Sequence, residues 1–188
     1  RERRPRKVRE LSKQNAHLAE LITSCAMGDG AAFRRLYDQT VRFVFGVVRS
    51  VLTDSTMAEE AAQEVYLTIW KRASSFNTNK GTPLAWIGTI ARNRAVDFLR
   101  AERARGFISY SAEIPDIACD DRSAHLTVEA IAVRRALADL RPDFRNALML
   151  SYFKGYTHAE LAVVLDVPMG TAKSWVQRGL AALNKALQ

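Results

Sequence analysis

The chain has 188 residues, 48% of them hydrophobic, and its Lys and Arg residues outnumber its Asp and Glu residues by 28 to 20. This length suffices for one or two domains with their own cores. The positive surplus favours a polyanionic partner, although solubility through charge explains it as well. No apolar run approaches the roughly 18 residues that cross a bilayer, and no signal-peptide core follows the basic N-terminus. We therefore expect a cytoplasmic protein without direct membrane insertion.

The N-terminal residues are polar and strongly charged, beginning RERRPRK. They predict a segment that is disordered or becomes helical only on contact, and we assign residues 1–17 to a basic arm. Such an arm either touches phosphates or is a solvated tail. Because the chain does not begin with Met, we expect a trimmed N-terminus or preceding tag residues.

Helical periodicity dominates residues 18–104, which we predict to form the first domain. A helix from Leu18 pauses at Gly28, and a long helix follows over 31–52. Its apolar stripe is assigned to the core: Phe33, Leu36, Tyr37, Val41, Val44, Phe45 and Val48. Further helices are predicted over 57–73 and, after Pro83, over 84–103.

The helix over 57–73 combines acidic and aromatic residues. Its first turns carry Glu59, Glu60, Gln63 and Glu64, with Tyr66 and Trp70 close along the helix. A solvated helix N-terminus explains the carboxylates. A surface suited to a protein partner is the alternative, because aromatic residues dominate binding energy at interfaces.

A polar loop over 74–83 precedes a helix with a cationic outer face. That face holds Arg92, Asn93, Arg94, Asp97, Arg100 and Arg103. Guanidinium and amide groups beside a flexible loop suit single-stranded or distorted nucleic acid, although plain surface charge also accounts for the arginines. Asn93 and Asp97, one turn apart, favour recognition.

Residues 105–126 lack helical periodicity and carry net negative charge, which predicts an acidic linker. Helices return over 127–140 and 143–154. We therefore predict an all-α fold of two helical domains joined by a flexible linker, with residues 127–188 as the second domain. No strand-like alternation of useful length occurs.

The end of the chain has the pattern of a helix-turn-helix. Leu161, Ala162 and Leu165 form one apolar face, Val167 and Pro168 mark the turn, and the next helix has its own apolar set. That set is Val176, Leu180, Leu183 and Leu187. The first two turns of this helix carry groups that can bond phosphates and base edges. They are Thr171, Lys173, Ser174, Gln177 and Arg178.

Catalytic and metal-binding patterns are missing from the sequence. Cys25 and Cys119 are far apart and share no ligand spacing with the three histidines, so we interpret them as buried or incidental thiols rather than a redox switch. No nucleophile triad, paired-carboxylate site or phosphate loop is present. We expect no enzymatic activity, no cofactor and no metal.

Four segments in order resemble a bacterial RNA polymerase sigma factor of the small, two-domain extracytoplasmic-function group. They are AAFRRLYDQTVRFVFGVV, AEEAAQEVYLTIWKRA, GTPLAWIGTIARNRAVDFLR and ALADLRPDFRNALMLSYFKGYTHAELAVVLDVPMGTAKSWVQRGLAAL. The resemblance covers about residues 18–104 and 127–187. It implies a promoter-specificity factor that binds core RNA polymerase, recognises the minus-10 and minus-35 promoter elements and stabilises strand opening.

The resemblance also implies roles for particular residues. Polymerase binding falls to the acidic helix, through Glu59, Glu60, Gln63, Glu64 and Trp70. Capture of unstacked minus-10 bases falls to the loop and the cationic helix, through Ser75, Phe76, Asn77, Lys80, Arg92, Asn93, Asp97 and Arg100. Binding of the minus-35 duplex falls to the last helix, through Thr171, Lys173, Ser174, Gln177 and Arg178.

Two features depart from or extend this pattern. Many family members carry arginine where this chain has Trp175 and Leu180, so Trp175 is either packed in its domain or part of the DNA surface. The acidic linker, with Glu113, Asp116, Asp120 and Asp121, resembles the family segment that threads through the polymerase, although solubility also explains its charge. Family members are usually held inactive by a cognate anti-sigma factor, often membrane anchored.

Two other classes of protein compete with this interpretation. A stand-alone helix-turn-helix regulator that binds duplex operators as a dimer explains residues 127–188 but leaves the acidic and cationic helices without a role. A partner-binding scaffold explains the helices alone.

Overall fold

The computed structural model describes the backbone of residues 6–106 and 128–187, with side chains described from Ser12 and Ala132 in the respective ranges. The chain divides into two compact units, and the boundary between them in the sequence falls between Ala101 and Glu102. Every regular element in the described ranges is helical, which confirms the all-α prediction. Most of the predicted linker, with Glu113, Asp116, Asp120, Asp121 and also Cys119, lies outside the described residues.

Eight α-helices occur in the described residues. They are α1 (Arg6–Ala26), α2 (Gly30–Arg49), α3 (Ser55–Arg72), α4 (Pro83–Ala104), α5 (Val128–Ala138), α6 (Pro142–Phe153), α7 (His158–Val164) and α8 (Met169–Ala186). Two short 3-10 turns, Ala73–Ser75 and Thr78–Lys80, lie between α3 and α4. None of the described helices combines the length and apolarity that a membrane crossing requires.

The first unit packs its four helices around one apolar core. Every helix contributes side chains that are almost fully buried: Leu18 and Ile22 from α1, Leu36 and Val44 from α2, Val65 and Ile69 from α3, and Ile87 and Ala91 from α4. Full burial of one such aliphatic side chain contributes about 1.5–3 kcal/mol for the larger residues. This core sets which faces of α3 and α4 remain on the surface.

Two helices in this unit begin directly after an aspartate whose side chain caps the first turn. Asp29 Oδ1 accepts hydrogen bonds from the backbone N–H groups of Ala31 and Ala32 at 2.8 and 3.0 Å and so caps α2. Asp54 Oδ1 caps α3 by accepting from the N–H of Met57 at 2.8 Å. Such caps satisfy N–H groups that the first turn leaves unpaired. The predicted break at Gly28 is confirmed, with φ +87° at that residue.

The structure corrects several predictions for α1, α2 and α4. Helix α1 begins at Arg6, not at Leu18, so most of the predicted arm is helical. Tyr37 is 43% exposed, although its stripe was predicted to be core. Conversely Arg103, predicted on the outer face of α4, is buried; it belongs to the second unit, where its guanidinium lies over the Tyr156 ring, 4.5 Å from the ring centroid. Tyr37 is exposed because the apolar stripe of α2 is broader than the surface that neighbouring helices cover. Arg103 can be buried because the long stem of an arginine packs well against apolar surface.

The second unit is a helix-turn-helix on two supporting helices. Its core includes Leu140, Leu150, Tyr156, Leu161 and Val176. Helix α7 starts with a capping box: Thr157 Oγ1 accepts from the N–H of Glu160 at 3.2 Å, and the Glu160 carboxylate accepts from the N–H of Thr157 at 2.7 Å. Leu180 and Leu187, predicted to be apolar-face residues, are 44% and 42% exposed.

The turn between α7 and α8 has a defined hydrogen-bond pattern. The N–H of Val167 donates to the Ala162 carbonyl at 2.9 Å, and the N–H of Asp166 donates to the Val163 carbonyl at 3.3 Å. This pair of bonds is a Schellman motif, with Asp166 in the left-handed conformation at φ +51°. The turn fixes where α8 begins.

Candidate nucleic-acid interface

The last helix, α8, has one buried side and one polar side. Ala172, Val176 and Gly179 face the core. Because these positions follow the helical repeat, the opposite half of α8 points outward. All five predicted minus-35 residues lie on that half. Lys173, Gln177 and Arg178 are exposed, whereas Thr171 and Ser174 are half-buried. The outer half of α8 therefore presents two cations and three uncharged hydrogen-bonding side chains.

The position of Trp175 was left open by the sequence. Its ring is half-buried and packs against the core cluster of the second unit. Trp175 therefore helps to hold α8 on its domain.

A second polar face lies on α4. Asn93, Asp97 and Arg100 follow one another at helical spacing and are exposed. Arg92 is half-buried, and its Nη1 donates to Asn93 Oδ1 at 3.5 Å. An amide, a carboxylate and guanidinium groups together provide the donors and acceptors that base edges require.

The connection from α3 to α4 brings two aromatic rings together. Phe76 in the loop and Trp86 on α4 have ring centroids 5.4 Å apart, and both are half-buried. Trp86 was missed as a candidate because helical periodicity does not show where a preceding loop folds back. Two partly exposed rings at the start of α4 offer a surface on which a base can stack.

Local hydrogen bonds organise this loop. Ser75 Oγ donates to the Arg72 carbonyl at 2.7 Å, and Asn77 Oδ1 accepts from the N–H of Asn79 at 2.8 Å. Lys80 is exposed and borders a cavity of about 500 Å³ between α1 and the loop. Of the predicted loop residues, Ser75 and Asn77 therefore also hold the loop in shape.

An acidic face lies on α3. Glu59, Glu60, Gln63 and Glu64 are exposed, and Trp70 is 36% exposed with its ring 5.1 Å from that of Phe33 on α2. The structure corrects the placement of Tyr66, which is 5% exposed and belongs to the core.

Aromatic residues of α2 add to the surface beside α3. Phe33 and Tyr37 line a cavity of about 430 Å³ together with Gly30, Arg34 and Asp38. The Tyr37 ring lies 4.6 Å from that of Tyr66. Phe33 and Tyr37 were assigned to the core from the sequence. Their spacing of one helical turn places them on one apolar face, but it does not show whether another helix covers that face.

Two family models and many curated relatives match this chain. The model of Sigma-70 region 2 matches residues 36–105, and that of Sigma-70, region 4 matches residues 130–183. The ECF RNA polymerase sigma factor SigK of Mycobacterium ulcerans is 37% identical over 174 residues, which cover 90% of this chain and 93% of that protein. The chain belongs to the extracytoplasmic-function family of RNA polymerase sigma factors. It is therefore a promoter-specificity factor.

A second sequence relative agrees with the assignment. SigK of Mycobacterium tuberculosis H37Rv is 36% identical over 178 residues, covering 92% of this chain and 95% of that protein. Among solved structures, CnrH in complex with the cytosolic domain of CnrY is 20% identical, with a TM-score of 0.41, covering 91% of this chain and 97% of that one. The assignment rests on the family models and the sequence relatives. Sigma factors are non-enzymatic regulators as a class.

Proposed function

We propose that this sigma factor divides its work among three helices. Helix α3 binds the polymerase, α4 with the preceding loop captures opened minus-10 DNA, and α8 binds the minus-35 duplex. One observation carries the proposal: the three exposed polar faces differ in chemistry, acidic on α3, mixed amide, carboxylate and guanidinium on α4, and cationic on α8. Distinct partners require such distinct surfaces.

On α3, carboxylates surround a partly exposed aromatic side chain. Glu59, Glu60, Gln63 and Glu64 supply the polar rim, and Trp70 supplies apolar area. Interfaces commonly place an aromatic anchor among polar groups. A basic coiled coil on the polymerase clamp is the proposed partner. The half-exposed ring of Tyr37 adds apolar area beside the acidic face.

On α4 and its loop, ring surfaces and base-reading groups are close in sequence. Flipping a base out of a duplex requires a few kcal/mol of unstacking, which stacking and edge hydrogen bonds must offset. We assign stacking to Phe76 and Trp86 and edge bonds to Asn93 and Asp97. Ser75, Asn77, Lys80, Arg92 and Arg100 complete the proposed minus-10 surface.

On α8, the outer half fits a major groove. Lys173 and Arg178 are proposed to contact phosphates, and Gln177, with Thr171 and Ser174, to contact base edges. The helix provides only two cations on its first turns, so the affinity for the minus-35 duplex depends heavily on each of them.

Regulation and location follow from the family role. An anti-sigma factor, often membrane anchored in this family, is the proposed inhibitory partner, and the half-exposed aromatic and aliphatic side chains give it apolar surface to cover. The protein catalyses no bond change and uses no cofactor or metal. Because polymerase and promoter DNA are cytoplasmic in bacteria, the protein acts there.

We propose 18–104 and 127–188 as the limits of the two domains.

A binding comparison tests the proposal against a stand-alone regulator. Duplexes with a randomised segment are selected by the full-length protein alone and by the protein with core RNA polymerase. We expect sequence-selective recovery only with core polymerase. Tight, selective binding by the protein alone, at paired half-sites, would identify a duplex-binding regulator instead.

Two variants test whether α4 acts in strand opening and not in polymerase binding. Asn93→Ala and Asp97→Ala should impair open-complex formation while the affinity for core polymerase is retained. Loss of polymerase binding in either variant would contradict the assignment of α4. Glu20→Ala, an exposed acidic position on α1, is the matched control.

A further inference from the structure

Arg94 lies on α4 between Asn93 and Asp97, but its side chain bonds to α3. Its Nε–H donates to Oγ1 of Thr68 at 3.1 Å. Thr68 is only 6% exposed, and its hydroxyl donates to the Glu64 carbonyl at 2.8 Å. A hydroxyl has one proton to donate, so the lone pairs of Thr68 Oγ1 accept from Arg94. The guanidinium is thereby anchored on the neighbouring helix.

The other end of the Arg94 guanidinium faces Asp97. Arg94 Nη1 lies 3.9 Å from Asp97 Oδ2, three residues along the same helix, and the Asp97 side chain is 60% exposed. An exposed pair at this distance adds little to stability. A planar guanidinium that is fixed at one nitrogen nevertheless fixes the charge at its other nitrogens. Asp97 therefore sits beside a positioned cation, not a mobile one.

We infer that Arg94 is a positioning residue that orients the Asp97 carboxylate for base reading, with Thr68 as its anchor on α3. The inference rests on the proposed role of α4. It makes one base-reading group on α4 depend on the helix that presents Glu64 to the polymerase. Direct contact of Arg94 with a DNA phosphate is the competing role, and the Nε–H bonded to Thr68 is not available for it.

The experiment uses the full-length protein with core RNA polymerase. Promoter duplexes are selected by the wild-type holoenzyme from DNA with a randomised minus-10 segment, and base preference is measured at each position. The test variants are Asp97→Ala, Arg94→Met and Thr68→Val. Two controls are matched to them: Thr68→Ser retains the hydroxyl, and Arg42→Met removes one exposed arginine from α2.

Arg94→Met and Thr68→Val should relax base preference at the same promoter position as Asp97→Ala. The expected relaxation is about two- to tenfold, the lower part of the range for coupling between residues in contact. Thr68→Val should leave the salt dependence of promoter binding unchanged, because it removes no charge. The double variant Arg94→Met/Thr68→Val should show no more relaxed base preference than Arg94→Met alone. Both controls should keep the wild-type preference.

Three results would overturn the inference. Arg94→Met could weaken all sequences equally and flatten the salt dependence, which would identify a phosphate contact. Alternatively, Thr68→Val could keep full base preference while Asp97→Ala loses it. That result would refute the anchoring role of Thr68 but leave the proposed role of α4 intact. If Asp97→Ala itself keeps the preference, the proposed function of α4 fails as well. Because Thr68→Val is nearly isosteric, it tests the inference even if Arg94→Met does not fold.

Discussion

Gly179 on α8 lies directly against the backbone of Phe144 on α6. A methyl group at Gly179 would come within 3.1 Å of the Phe144 carbonyl oxygen and 3.5 Å of its Cβ. The two helices can approach this closely because Gly179 has no side chain. The orientation of α8 on its domain therefore depends on this glycine.

Gly179→Ala should lower the free energy of unfolding of the second domain by about 1 kcal/mol. Overpacking typically destabilises by 1–3 kcal/mol, and the better helix propensity of alanine offsets up to about 1 kcal/mol of that. Thermal and urea denaturation measure the change. Gly170→Ala is the matched control, because a methyl group there meets nothing within 4 Å. A gain in stability for Gly179→Ala equal to that of the control would contradict the close packing.

Asp166→Gly should stabilise the second domain by up to about 1 kcal/mol. Asp166 adopts φ +51°, where an L-residue is strained and glycine is not. Asp166→Val should destabilise by about 1–2 kcal/mol, because a β-branched side chain fits this conformation poorly. Denaturation of both variants checks the pair. Asp139→Gly, at an exposed position without positive φ, should give no gain, and an equal gain there would exclude a specific effect of the turn.

Parts of the helix-turn-helix could be predicted from the sequence. Pro168 marked the turn between α7 and α8, and Thr157 with Glu160 has the spacing of the capping box that starts α7, because capping depends on neighbours in the chain. The left-handed conformation of Asp166 was not predicted, since glycine is the usual residue there. The early start of α1 was also missed, because the high charge of the first residues was interpreted as a sign of disorder.

The stability of the first domain should fall between pH 10 and about 12. Burial raises the pKa of Tyr66 from 10.0 to about 12, partly opposed by the hydrogen bond with Thr40. In this window the unfolded chain loses the phenolic proton while the folded domain retains it, so rising pH favours unfolding. Tyrosinate absorbance and denaturation against pH measure the effect.

Tyr66→Phe should remove most of this pH dependence and destabilise the domain by about 1 kcal/mol at neutral pH. The loss is moderate because Thr40 Oγ1 also bonds to the Leu36 carbonyl at 2.7 Å and remains satisfied. Tyr152→Phe alters a phenol that is 46% exposed and serves as the control. An unchanged decline above pH 10 in Tyr66→Phe would show that another group is responsible.

Arg178→Ala should weaken holoenzyme binding to promoters and reduce the slope of log affinity against log salt by about one. Filter binding or fluorescence anisotropy at several salt concentrations measures the slope. Lys185→Ala removes the same charge from the exposed last turn of α8 and should leave the slope unchanged. Equal slopes for both variants would mean that the first turns of α8 do not contact phosphates.

The candidate surfaces were predictable where they follow helix periodicity. Asn93, Asp97, Gln177 and Arg178 are exposed as their spacing from buried neighbours indicates. The tertiary contacts were not predictable: the Phe76–Trp86 pair depends on the path of a loop, and the bond from Arg94 to Thr68 joins two helices. Tyr66 was misplaced because its hydroxyl has a buried partner in Thr40, which no local pattern indicates.

Run-off transcription tests most directly whether the two helical domains direct polymerase to promoters. Purified core RNA polymerase is given templates selected by the holoenzyme, with and without the full-length protein. Addition of the protein should convert non-selective initiation into initiation at a defined start site, and Asp97→Ala should reduce that selectivity. Unchanged start-site use in its presence, while it still binds core polymerase, would contradict a promoter-specificity role for this chain.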